Sequence, residues 1–431
     1  MNHTEKAELI IEGDSSSRTK YLLPFILVVS LFFLWGMAHN LDSVLIPHLK
    51  KACNLNNAQS TLIDTSVFFA YFLMAIPAGM ILKRWGYKAS MITGLLTFAI
   101  GAFLFVPAAN ALSYNTFLLA LFIIGCGLTI LETSANPYAA VLGDPEKATF
   151  RLNLAATFNG LAAPVAALVG GFILSGKSHT QDELAAMTDI ARNNYFLAEA
   201  STVKMPYIIL GSVLVLVALL FYFMKLPEIK TKSTDGVEAT GSFFGALKHK
   251  HLRWAVCAQF FYVGAQVCVT SFFIRAAQQG GGFDELTALK FLGMYGTLFL
   301  VGRFVGTFLL RYISSHKLLT IYAVISIILC LIAIFGQGSF VVYALGGLGF
   351  FMSIMFPTIF GLGIEGIGND TKPGSSWLIM SIVGGAILPY SMGTLIDKYG
   401  DQIQIGYSIP LVCFLVILYF GLVGHKVNET K

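Results

Sequence analysis

Apolar residues fill this chain in blocks of roughly 20, separated by short polar punctuation, over almost its whole length. Twelve blocks can be counted, near 21–49, 62–82, 89–106, 117–142, 152–174, 206–226, 252–273, 288–310, 318–335, 341–364, 377–396 and 407–423. A block of that length crosses the hydrocarbon core as one α-helix, at about 1.5 Å of rise per residue. In lipid a helix satisfies its backbone donors and acceptors internally, which an open strand does not. The pattern therefore predicts an all-α membrane protein with twelve transmembrane helices, here spans 1 to 12. Span 10 holds so many glycines that it is open to a different division.

Composition agrees with lipid as the solvent: 56% of the 431 residues are hydrophobic and 12% are charged, against about a quarter charged in a soluble domain. The net charge of +5 raises nucleic acid as a partner, but about two-thirds of the 28 Lys and Arg fall on the side of the two termini. That asymmetry is a topology signal. It predicts both termini in the cytoplasm and no nucleic-acid partner. The polar stretch before span 1 carries Glu5, Glu12 and Asp14, and span 1 is too long for a signal-peptide core, so it is expected to stay in the membrane. Six cysteines occur without a C-x-x-C pair and read as small core residues, with no disulfide and no metal.

A polar segment at 227–251, rich in Lys, Ser, Thr and Gly, divides the spans six and six. The expected layout is an N-tail (1–20), an N-terminal half (21–226), a linker (227–251), a C-terminal half (252–425) and a C-tail (426–431). The halves repeat each other. Gly79 and Arg84 closing span 2 match Gly306 and Arg311 closing span 8; Asn159-Gly160 before Pro164 matches Gly384-Gly385 before Pro389; Pro137 matches Pro357. Offsets of about 220 to 227 residues argue for a duplicated six-helix unit. In such folds the substrate sits between the halves near the midplane, and Gly and Pro in spans 4, 5, 10 and 11 suit the bending that rocking requires.

A charge at a helix centre costs about 2.5 to 3.5 kcal/mol on insertion scales, so each one needs a partner, a cavity or a task. The N-half places Asp42, Asp64 and Glu132 in its spans with no basic residue, an arrangement suited to protonation; the C-half places Arg303. Glu132 lies roughly 22 Å into span 4. Burial disfavours its anion, so the carboxyl can load and release a proton as its water access changes. Asn136, one turn on, shares its face and can bond a ligand or the carboxyl. Asp42 stands among His39, Asn40 and Ser43, a group able to share a proton or bind sugar hydroxyls. Asp64 is near the start of span 2, where capping or facing water explains it. Gln259, Tyr262 and Gln266 form one polar stripe on span 7, the chemistry of sugar recognition. Arg303 lies about 12 Å from Arg311 along span 8, close enough to snorkel or to pair near a gate. No P-loop, H-E-x-x-H or G-x-S-x-G occurs, so ATP-driven pumping and hydrolysis lack a site.

The stretch from Gly79 through Lys83, Arg84 and Gly86 to Lys88 resembles the loop motif of the major facilitator superfamily, with Lys83 where the motif usually has Asp. Asn40-Leu41 with Ile46-Pro47, Leu131-Glu132-Thr133 with Ala135-Asn136-Pro137, Phe150 to Asn159, and Asp370-Thr371-Lys372 with Gly374-Ser375-Ser376 are similar to the fucose, galactose and glucose symporter family. The likeness covers roughly residues 25 to 420. It implies alternating access, with an acid in span 1 and a Glu in span 4 serving sugar binding and proton coupling. Glu132 takes the Glu position and Asn40 a sugar-binding Asn. Asn153 and Asn159, within the motifs, join Asn136 as sugar-binding candidates. The family's Asn-Leu-Asn-Asp becomes Asn40-Leu41-Asp42-Ser43 here, so the span 1 acid is displaced by one residue, or about 100°.

The resulting expectation is a transporter, not an enzyme. It imports a neutral monosaccharide by proton symport across a bacterial inner membrane as a monomer, without a cofactor. Sodium coupling at Asp42 or Asp64 is the alternative; an antiporter of the same fold lacks its expected G-P-x-x-G-G in span 5, and a sensor or embedded enzyme lacks a signalling domain or catalytic set.

Overall fold

The computed structural model describes residues 10–11, 19–52, 57–173, scattered positions between 187 and 201, then 204–227, 229–230, 242–400 and 402–427. The side chains of 10–11, 19–21, 38, 39, 41–52, 57–65, 167–173, 229–230 and 285 lie outside the description. Helix α1 is Thr19–Ala52. The helical stretch Asn57–Asn110 breaks at Gly86, whose φ of 76° and ψ of −179° suit a residue without Cβ, and so divides into α2 (57–85) and α3 (87–110). There follow α4 (Tyr114–Val141), α5 (Ala148–Ile173), α6 (Lys204–Phe223), α7 (Lys250–Gln279), α8 (Glu285–Leu309) and α9 (Ser315–Phe335). The last three are α10 (Ser339–Gly363), α11 (Gly368–Lys398) and α12 (Ile403–Gly424). These correspond in order to the twelve predicted spans. Beside them, Ile10–Ile11 pairs antiparallel with Ile229–Lys230, the one strand pair among the described residues.

The largest departure from the predicted boundaries is at α11, which starts at Gly368 rather than near 377. Its first turns hold Asp370, Thr371 and Lys372, polar enough to end an apolar block yet helical because tertiary partners hold them. Asp370 is 5% exposed and receives Lys248 at 3.1 Å and His249 at 3.0 Å, while the Trp377 indole donates to Phe243 O at 2.8 Å. The end of the predicted linker is thereby packed beneath α11.

Helix starts follow capping chemistry. Ser113 Oγ accepts from the Thr116 N–H at the start of α4, and an Asp284 carboxylate oxygen accepts from the Thr287 N–H at the start of α8. Small residues then set how closely helices approach. Between α3 and α4, a Cβ on Gly127 would stand 2.5 Å from Phe98 N and one on Gly101 2.7 Å from Ile124 N, so the two backbones touch. Gly36 of α1 fits against Asn159 and Ala162 of α5; correspondingly, Gly264 of α7 fits against Leu388 of α11 and Gly384 of α11 against Phe260 of α7. The same helix pair is packed tightly in each half, as a duplicated unit requires.

Helix α10 is discontinuous, running as Ser339–Met352 and then Met355–Gly363. Pro357 has no N–H to offer the carbonyl of Ser353 four residues earlier. In lipid such a carbonyl needs another donor. Arg303 Nε of α8 donates to Ser353 O at 3.1 Å, and Tyr262 Oη of α7 donates to the adjacent Met352 O at 3.0 Å. The glycine-rich span is thus divided at its proline, and two polar side chains from neighbouring helices close the gap.

Candidate functional site

Glu132 projects from α4 and is 2% exposed. Tyr71 of α2, also 2% exposed, donates its phenol O–H to Glu132 Oε1. Among the described residues no cation pairs with this carboxyl. Asn136 shares the face, but its Nδ2 donates to the Glu132 backbone oxygen at 3.0 Å and not to the carboxyl, because an amide one turn on reaches the i−4 carbonyl most directly. Thr133 Oγ1, beside Glu132, is buried without a partner among the described residues. The local chemistry is a carboxyl held by one phenol in a wall of apolar and small polar groups.

Asn159 ties three helices together. Its Nδ2 donates to Phe32 O of α1 at 3.1 Å, and its Oδ1 accepts from Arg303 Nη1 of α8 at 3.4 Å. Arg303 Nη1 also donates to Ala156 O of α5, and the guanidinium lies 4.8 Å from the Phe299 ring centroid. The C-half cation is therefore held by backbone and amide oxygens rather than by an acid. Nearby, Thr157 and Thr307 hydroxyls meet at 3.3 Å and Asn153 Nδ2 donates to Thr358 Oγ1 at 3.1 Å. Asn153, expected as a sugar ligand, has its amide committed between the halves. Asn40 Nδ2 donates back to Gly36 O at 2.7 Å on its own helix.

On α7, Tyr262 of the expected polar stripe donates its O–H to α10, as described above. Gln259 is fully buried and neither its Nε2 nor its Oε1 has a partner among the described residues, and Gln266 is half-buried. Gly79 lies against Ser376 of α11, where a Cβ would overlap the Ser376 hydroxyl. Arg311 is exposed over the Phe150 ring at 5.1 Å, and Arg84 is exposed. His39, Asp42 and Ser43 on α1 and Asp64 on α2 have helical backbone, but their side chains lie outside the described residues. Tyr71, Thr307 and Thr358 escaped the sequence reading. For Tyr71 a signal existed, since a tyrosine in an apolar span needs a partner for its O–H.

The described polar contacts between the halves lie from the midplane toward the end of the bundle that carries the termini. They comprise α5 with α8 and α10, Gly79 with Ser376, and Lys372 over the Tyr87 ring at 5.3 Å.

Residues 25–373 match the family model of the Major Facilitator Superfamily. The chain is 42% identical over 418 residues to the L-fucose-proton symporter of Escherichia coli (strain K12), covering 95% of each. It is 37% identical over 421 residues to a glucose/galactose transporter of Brucella abortus, covering 96% of this chain and 97% of that one. A crystal structure of the transporter FucP in the outward conformation aligns with a TM-score of 0.88 at 42% identity, over 95% of this chain and 100% of that one.

Proposed function

Since this chain belongs to the major facilitator superfamily, we propose that it imports a neutral monosaccharide, L-fucose or galactose, glucose or a related hexose, by proton symport through alternating access. The observation that carries this reading is Glu132: a carboxyl buried in a helix centre, bonded by a phenol and faced by no described cation, can change protonation without breaking an ion pair. The names of the relatives, a fucose-proton symporter and a glucose/galactose transporter, support the substrate class. Alternating access is supported by the contacts between halves, which close one end of the bundle, and by the likeness to a transporter in its outward conformation.

In this proposal Glu132 carries the proton, aided by Asp42. Asn40, His39, Ser43, Asn136, Asn153, Asn159, Gln259, Tyr262 and Gln266 bind the sugar, Asn153 and Tyr262 by exchanging the bonds they make to α10 in this state. Arg303, Gly79, Arg84, Arg311 and Asp64 serve the gate and the framework. Residues 21–226 and 252–425 are the two halves, joined by 227–251. The protein acts as a monomer in the bacterial plasma membrane, with its tails in the cytoplasm.

The test is counterflow and accumulation of labelled L-fucose, D-galactose and D-glucose in proteoliposomes, with pH and sodium gradients varied separately. Accumulation should follow the proton gradient and not sodium. Glu132→Gln should abolish proton-driven accumulation while leaving some exchange, because Gln keeps hydrogen bonds but releases no proton. Undiminished proton-driven accumulation in that variant, or accumulation driven by sodium alone, sinks the assignment.

A further inference from the structure

We infer, resting on the assignment of Glu132 as the proton site, that Tyr71 is its positioning residue: the phenol holds the Glu132 carboxyl in one orientation and governs the pH at which it exchanges its proton with solution. Tyr71 Oη donates to Glu132 Oε1, both side chains are buried, and among the described residues no other side chain hydrogen-bonds to this carboxyl. The two helices that carry the pair run parallel and are locked in register. Gly125 of α4 sits so close to α2 that a Cβ there would be 2.7 Å from Ala70 Cβ, and Ser66 Oγ donates to Leu118 O at 3.1 Å. The helix that carries the phenol is therefore held close against α4 by short contacts of small residues just before Tyr71.

Other ionisable groups on elements packed against α4 are engaged elsewhere. On α3, Lys88 donates to Tyr222 O at 2.9 Å and Met224 O at 2.8 Å, and the Tyr87 ring packs tilted against Tyr138 with centroids 5.2 Å apart. On α5, Arg151 donates to Ala139, Ala140 and Asp144 carbonyls. On α11, Lys372 lies over Tyr87. Lys83 and Arg84 are exposed at the far end of α2, and Cys126 lies nearly two turns earlier on α4 itself. The side chains of His39, Asp42 and Asp64 are outside the described residues. Of the described groups, only Tyr71 reaches the carboxyl.

A donor bonds more strongly to a carboxylate than to the neutral acid, whereas the apolar surround favours the neutral acid. Tyr71 thus opposes the wall around it and keeps both forms within reach of a transport cycle. The proton exchanged comes from solution and returns to it; the phenol keeps its own.

The test is proton-driven uptake of the labelled hexose selected by counterflow, measured against pH in proteoliposomes and normalised to each variant's maximum. Tyr71→Phe should move the alkaline midpoint upward by about one to two pH units, the equivalent of one charged hydrogen bond. Tyr71→Gln, which retains an N–H donor, should bring it back toward wild type. An unmoved midpoint in Tyr71→Phe overturns the proposal. Should that variant fail to assemble, infrared difference spectra of wild type against Glu132→Gln decide: the protonated Glu132 carbonyl should absorb as a hydrogen-bonded acid, and a free-acid frequency overturns the proposal. The two assignments fail separately. Persisting proton-driven accumulation in Glu132→Gln removes the proton site and Tyr71 with it. Loss of accumulation in Glu132→Gln beside an unmoved Tyr71→Phe midpoint removes Tyr71 alone.

Discussion

Gln259 is fully buried and its two amide atoms find no partner among the described residues, and an orphaned buried polar group costs about 1–3 kcal/mol. A chain that bears that cost in its resting state recovers it when a polyhydroxylated ligand supplies both a donor and an acceptor. Gln259→Leu should therefore raise or preserve the melting temperature of the sugar-free protein while raising the half-saturation constant for sugar about tenfold or more, since about 1.4 kcal/mol corresponds to a factor of ten. An unchanged half-saturation constant at matched expression removes Gln259 from the site. Sequence reasoning reached Gln259 and Glu132 because polar residues in apolar spans stand out. It missed Tyr71 because the partner of a buried carboxyl lies on another helix, and an aromatic in an apolar block looks like packing. The bond from Tyr262 to Met352 O was equally hidden, since nothing along α7 says that a carbonyl of a broken α10 needs a donor.

Helices repeat that distinction between what a span is and what it touches. The twelve apolar blocks were legible because lipid imposes one length and one polarity on every crossing element. The break in α10 was signalled by Pro357 and its glycines, but the identity of the group that caps the freed Ser353 carbonyl, Arg303 of α8, depends on packing that no single span encodes. The start of α11 was hidden because Asp370 and Lys372 look like loop residues until Lys248, His249 and Tyr87 are seen around them. Glycines separate two kinds of helix contact. Gly127 joins α4 to α3 within one half, where the nearest atom is the Phe98 backbone nitrogen and cannot yield. Gly127→Val should cost about 1–3 kcal/mol and lower the melting temperature and yield. Gly79 joins α2 to α11 across the halves, against a side-chain hydroxyl. Gly79→Val should leave each half folded but loosen the closed end, which would appear as faster thiol labelling of a cysteine placed at Ser376 in proteoliposomes. If both variants simply unfold, or neither changes anything, the distinction between packing within and between halves is lost.

At the scale of the whole molecule, specific polar contacts join the two halves, and their placement decides which face is shut. Thr157 with Thr307, Asn153 with Thr358, and Arg303 with Ala156 and Asn159 all join α5 of one half to α8 and α10 of the other, on the side of the termini. Two of these bonds are neutral and two come from a guanidinium to uncharged oxygens, so none of them pairs opposite charges. Such bonds suit an interface that has to open in every cycle, because separating a desolvated ion pair costs far more than exchanging these contacts for water. Asn159 belongs to both this interface and the proposed sugar site, so a sugar competing for its amide would loosen Arg303 and favour opening of the closed end. The Thr157–Thr307 pair offers the direct test, because its hydroxyl oxygens meet at 3.3 Å across the interface and sulfurs in their place would lie side by side. A protein carrying Thr157→Cys and Thr307→Cys should transport when reduced, with the single-cysteine variants as controls. Oxidation should abolish both net uptake and counterflow, because the closed end no longer opens, and dithiothreitol should restore them. Sugar should still bind the oxidised protein from the opposite face, with an affinity within a few-fold of the reduced form. Transport that survives quantitative cross-linking would show that these contacts are not the gate, and loss of binding together with transport would show that the bridge distorts the site rather than locking the end shut.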